Sequence, residues 1–196
     1  MNEDIEFVNK HLSDMLAAEE HILQAIERQR NFEEVRDNVD VNELIIKIER
    51  VLKQHVEALE ELNEEYDVDQ RSSVKEALTN VMGRLAGLYD KLRDHPLSRI
   101  LRDNYTALSL SAMGYTTMHT YGLAVKEDRI ADLAQSHLKD VTPLLVEISE
   151  VLPGVTANEI TQEHDYPVDG SVGEQARQNT QEAWNPSTTE SDPQPA

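Results

Sequence analysis

Four stretches of this chain repeat apolar residues at alternating three- and four-residue spacing for about six turns each, and that period belongs to a helix packed along one face. The first seam reads Ile5, Val8, Leu12, Met15, Glu19, Ile22 and Ile26. The second reads Val41, Ile45, Ile48, Leu52, His55, Leu59, Leu62 and Tyr66, and Asp40 with Glu43 three residues on is a capping-box start for it. Two more follow: Leu101, Tyr105, Leu108, Ala112, Tyr115, His119, Gly122, and then Ile130, Ala134, His137, Val141, Leu144, Ile148, Val151. No stretch alternates with the two-residue period of a strand. The expected fold class is therefore all-α, a four-helix bundle with helices over about 3–30, 40–66, 97–125 and 128–152. Pro143 falls inside the last of these, where a proline removes one backbone hydrogen bond and kinks the helix.

A shorter apolar pattern lies between the second and third seams. It starts at Ser73 with Glu76, runs through Val74, Leu78, Val81, Leu85 and Tyr89, and stops before Pro96. An extra linking helix there makes a crossover between the second and third long helices available, in place of an up-down-up-down path.

Five of the seven prolines lie at Pro153 or later, and from about Thr156 the chain is polar and acidic. Such a composition buries too little apolar surface to offset the entropy of ordering it. The expected division is a helical domain over 1–155 and a mostly disordered acidic tail over 156–196. Within the tail, 173–185 could still form a short helix displaying Ala176, Ala183 and Trp184. Trp184 is then either incidental or an anchor for the chain's own domain or for a protein partner.

Charge excludes whole classes of partner. With 18 Lys and Arg against 38 Asp and Glu, the net charge is -20, which opposes binding to nucleic acid or to an anionic membrane. No apolar run approaches the ~20 residues of a membrane-spanning helix. The acidic start, Met1-Asn2-Glu3-Asp4, is unlike a secretory signal, and a cytoplasmic location is expected. There is no cysteine, so thiolate catalysis and zinc–thiolate or iron–sulfur sites are excluded. Gly-rich phosphate loops, a Gly-x-Ser-x-Gly elbow and His-Glu-x-x-His are missing as well.

Each long seam carries one ionisable residue: Glu19, His55, His119 and His137. An isolated charge in an apolar core is costly unless it is paired, hydrogen-bonded or bound to metal. Glu19, His55 and His137 fall near the middle of their helices, so one layer of the bundle can hold all three. His119 is nearer a helix end and reads as partly exposed. His11, His21, His95 and His164 read as exposed or loop residues. Two His and a carboxylate are ligands for iron or manganese, and Asp140, one turn past His137, is a reserve carboxylate. The competing reading is a Glu19–His hydrogen-bonded pair that fixes helix register with no metal. Tyr105, Tyr115 and Tyr121 read as packing residues.

The order of these motifs resembles the YciE/YciF-type ferritin-like proteins, a bacterial stress-associated family, over about 5–152. The resemblance rests on Leu12-Ser13-Asp14-Met15-Leu16-Ala17-Ala18-Glu19, His55-Val56-Glu57-Ala58-Leu59, Met82-Gly83-Arg84-Leu85, Ala112-Met113-Gly114-Tyr115 and Leu133-Ala134-Gln135-Ser136-His137-Leu138. It implies a ferritin-like bundle, whose di-metal sites use one Glu from each of two helices and Glu-x-x-His from each of the others. Glu19 matches the first Glu, and His55 and His137 match the histidines. The remaining carboxylate positions are Leu52, Ala134 and either Leu108 or Ser111. The resemblance therefore implies a degenerate or single-metal centre and not a classical ferroxidase. The alternative expectation is a metal-free helical interaction protein. It would form a homodimer through a bundle face and recruit a partner through the tail around Trp184.

Overall fold

The computed structural model describes residues 3–66, 96–164 and 166–184. They form α1 (Glu3–Gln29), α2 (Glu33–Asp37), α3 (Val39–Glu65), α4 (Leu97–Val125), α5 (Asp128–His164) and α6 (Val172–Trp184), with no strand among the described residues. The sequence stretch expected to form a linking helix, and its Met82-Gly83-Arg84-Leu85 motif, lie outside the described residues.

The seams become the core. Val8, Leu12, Ile22 and Ile26 of α1 pack with Ile45, Ile48, Leu52 and Leu59 of α3. Leu101 and Leu108 of α4 and Ala134, Val141, Leu144 and Ile148 of α5 join the same cluster. At about 25 cal/mol per Å2 of apolar surface withdrawn from water, each fully buried Leu or Ile contributes roughly 1.5–3 kcal/mol.

The long helices meet in a ring, with α1 against α3 and α4, and α5 against α3 and α4. Cross-contacts give their directions. Along α1 and α3 the pairs Arg30–Glu49, Lys53–Glu27 and His55–Glu19 run oppositely. Between α3 and α5 the pairs Lys47–Glu147, His55–Asp140 and Arg129–Glu65 do the same. Gln29–Asn104 and His11–Tyr121 set α1 against α4, and the Lys126–Glu127 turn reverses α4 into α5. Adjacent helices are thus antiparallel, and α3 and α4, successive among the described helices, point the same way. Tyr66 lies beside Glu127 at one end of the ring, whereas Ser98 binds Glu159 at the other.

Three boundaries differ from the sequence reading. First, α3 starts one residue before Asp40, because the Asn38 side chain accepts from the Val41 amide at 3.1 Å and caps the helix. Second, the short α2 occupies the connection before it, with Val35 fully buried. Third, α5 does not stop at Leu152: it continues through Pro153 and Gly154 to His164, well into the segment read as tail. The reason is tertiary. Val155 is buried, and α6 lies against α5 so closely that a Cβ on Gly173 would stand 3.0 Å from the Gly154 Cα. Gly154 and Gly173 are where two helix backbones touch. The short helix read at 173–185 is observed as α6, packed on α5, and its Trp184 lies 6.2 Å from the Tyr105 ring.

Candidate functional site

Midway along the ring, each long helix contributes one polar residue to a single layer: Glu19 from α1, His55 from α3, Tyr115 from α4 and His137 from α5. None is more than 6% exposed. They meet because each belongs to its helix's inward seam and antiparallel packing brings the helix centres to one height.

His55 is the hub. Its Nδ1 faces Glu19 Oε2 at 3.6 Å, and its Nε2 faces Asp140 Oδ2 at 3.5 Å. The His137 ring lies flat on its face, with centroids 3.8 Å apart and planes 8° from parallel. Tyr115 stands edge-on to both imidazoles, at 5.6 Å from His55 and 5.0 Å from His137. Both Glu19 oxygens, Nδ1 of each histidine and the Tyr115 hydroxyl are buried with no hydrogen-bond partner, as is the Ser111 hydroxyl one turn before Tyr115. Burial, followed by the charge of the Glu19 carboxylate, holds the Tyr115 phenol well above its ordinary range, so it stays protonated. Burial and then the neighbouring His55 push His137 down to about 3, which makes it a neutral imidazole at neutral pH.

The sequence reading placed Glu19, His55 and His137 in one layer, and the structure brings them together. Asp140 reaches only the outer edge of His55, with its side chain 53% exposed. Tyr115 was read as packing and proves to be the fourth member. An ionisable hydroxyl on the inward seam of the one long helix without a central His or Glu was the signal for it. His119, expected to be partly exposed, is half-buried and donates from Nδ1 to the Ala131 carbonyl at 2.8 Å. His11, read as exposed, packs edge-on against Tyr121. His95 lies outside the described residues.

Whether iron or manganese fits is a question of aim. Imidazole lone pairs lie in the ring plane. Two rings stacked nearly parallel, with centroids 3.8 Å apart, direct them side by side, so no single ion lies in both planes. Glu19 and Asp140 sit at opposite nitrogens of His55 and cannot share an ion with the same one. Among the described residues no three His, Asp or Glu side chains are grouped as a metal ion requires. As arranged, the layer does not fit the metal that the ferritin-like resemblance implies.

What the layer does is set a buried carboxylate 3.6 Å from a buried imidazole, with a neutral imidazole stacked on that ring and a neutral phenol at its edge.

A groove of about 550 Å3 runs on the outside of the ring between α1 and α4, lined by Met15, Ala18, Leu110, Ser111, Met113 and Gly114 among others. The four residues of the layer do not line it. Among the described residues no helix is long and apolar enough to cross a membrane. No protein-family model matches this chain, and no curated protein or solved structure matches it either.

Proposed function

We propose that this chain is a ferritin-like helical bundle whose central layer works without metal, and that it acts as a stress-associated interaction protein with no redox turnover. The ferritin-like reading is supported by the antiparallel ring in which the second and third long helices run parallel, the path a crossover connection produces. The metal-free reading rests on one observation, the parallel stack of His55 on His137. The Glu19–His55 pair then serves the fold, and function lies on the outside of the bundle. Trp184, half exposed against Tyr105, is a surface anchor that a protein partner could share.

The test is elemental analysis of untagged protein, purified without chelator from cells supplied with iron, manganese and zinc. The expected result is metal far below one ion per chain, with the same helical content in wild type and Glu19→Gln. One or two ions per chain, lost in Glu19→Gln, would overturn the metal-free reading. Removing 166–196 should weaken capture of any partner that docks at Trp184 and leave the metal content unchanged.

A further inference from the structure

No residue of α6 is buried, whereas every other described helix buries at least one. The residues it turns toward α5, Gly173, Arg177, Thr180 and Gln181, are half-buried, and its apolar Val172, Ala176 and Ala183 are exposed. Two of the polar ones bond within their own helix. Arg177 forks onto Glu174 at 2.8 and 2.6 Å, and Thr180 donates to the Ala176 carbonyl at 2.9 Å. Gln181 reaches across, its amide donating to Glu150 Oε1 of α5 at 2.9 Å. At the far end Trp184, 50% exposed, lies 6.2 Å from the Tyr105 ring of α4.

A helix of 13 residues is marginal by itself, and this one has no apolar stripe sunk into the core to hold it. It is held by backbone proximity instead. A Cβ on Gly173 would stand 3.0 Å from the Gly154 Cα and 3.5 Å from the Pro153 carbonyl oxygen, so the two helices meet this closely because residue 173 has no side chain. Charge works against the contact, since α6 brings Glu174 and Glu182 onto a chain whose net charge is already -20. An element with so little burial opens at a far lower cost than the core around it.

We infer that α6 is a latch that controls access to Trp184. Docked on α5, it holds the indole against Tyr105. Released, it presents the whole indole while the four long helices stay packed. Gly173 is the catch, and the Gln181–Glu150 hydrogen bond is a second tie. A partner that takes only the released helix binds with an affinity scaled by the fraction of molecules that are open, so the strength of this contact sets the response. The inference rests on the reading of Trp184 as a partner anchor and adds what regulates it.

Trp184 is the chain's one tryptophan, so its fluorescence reports α6. In a urea titration of the full chain, its emission should shift to the red at a midpoint roughly 1 M or more below that of the helical circular dichroism signal. Gly173→Leu should open the latch without urea. Acrylamide quenching should then rise about twofold, as an indole that is 50% exposed becomes fully exposed, with a helical loss no larger than the 13 residues of α6. Asn179→Leu, the same bulk on an exposed position of α6, should leave quenching as in wild type. Gln181→Arg, which gives Glu150 a charge-assisted bond, should move the Trp184 midpoint up toward that of the bundle. A single transition shared by both signals would overturn the latch. So would a Gly173→Leu protein whose quenching equals that of wild type. Either result leaves the anchor reading standing, and that reading falls separately if removing 166–196 leaves partner capture unchanged.

Discussion

Replacing His137 by Gln probes the central layer through a proton that the folded chain refuses. The ring is 6% exposed, and burial followed by the neighbouring His55 lowers its pKa to about 3. Unfolding returns it to water, where an imidazole titrates near ~6.5. Between those values the unfolded chain binds a proton that the folded chain does not, so stability is lost as the pH is lowered, at about 1.4 kcal/mol per pH unit. Above the unfolded value neither state is protonated and the penalty vanishes. Integrated from pH 7 to pH 5 the loss is about 2 kcal/mol, and below the folded value it reaches roughly 5 kcal/mol. The many carboxylates titrate over part of the same range, so the informative quantity is the difference between wild type and His137→Gln. Glutamine keeps a polar group of similar length and takes up no proton. In urea unfolding followed by circular dichroism, wild type should lose about 2 kcal/mol relative to the variant between pH 7 and pH 5. Parallel pH profiles for the two proteins would refute a neutral, buried His137.

Two further outcomes concern how the ring is held. Gln29 and Asn104, each fully buried, exchange two amide hydrogen bonds of 2.9 and 2.8 Å, so removing either side chain breaks both bonds of the pair. Gln29→Ala and Asn104→Ala should each cost about 1–3 kcal/mol, with a double mutant costing clearly less than the sum in a thermal or urea cycle. Gly122→Ala should destabilise by about 1–3 kcal/mol in the same assay, despite alanine's better helix propensity. Its new Cβ would stand 2.6 Å from the Ala131 backbone nitrogen and force α4 away from α5.

Helix seams were legible in the sequence because period is a local property. Leu12, Ile48, Leu108 and Ile148 are buried as their spacing requires. The polar layer was legible for the same reason: Glu19, His55 and His137 interrupt apolar seams at matching heights. What spacing could not show was aim. That the two imidazoles stack instead of converging depends on rotamers set by neighbours on three helices. Tertiary contact also decided the end of α5. Pro153 and Gly154 are poor helix residues in isolation, and α6 lying across them makes the absence of a side chain an advantage. The Gln29–Asn104 pair was invisible for a related reason, since neither residue signals burial until 75 positions of chain are brought together.

The direction of the helices has a consequence for how the central layer is enclosed. α4 and α5 are joined by a two-residue turn, and α1 and α3 through the short α2, so each pair is a hairpin of contacts between near neighbours in the chain. The central layer is divided between them: Glu19 and His55 belong to the first hairpin, Tyr115 and His137 to the second. Neither hairpin alone can bury its two polar groups on all sides. The carboxylate and both imidazoles are therefore enclosed only where the two halves meet, and each half is what shields the other's polar groups from solvent.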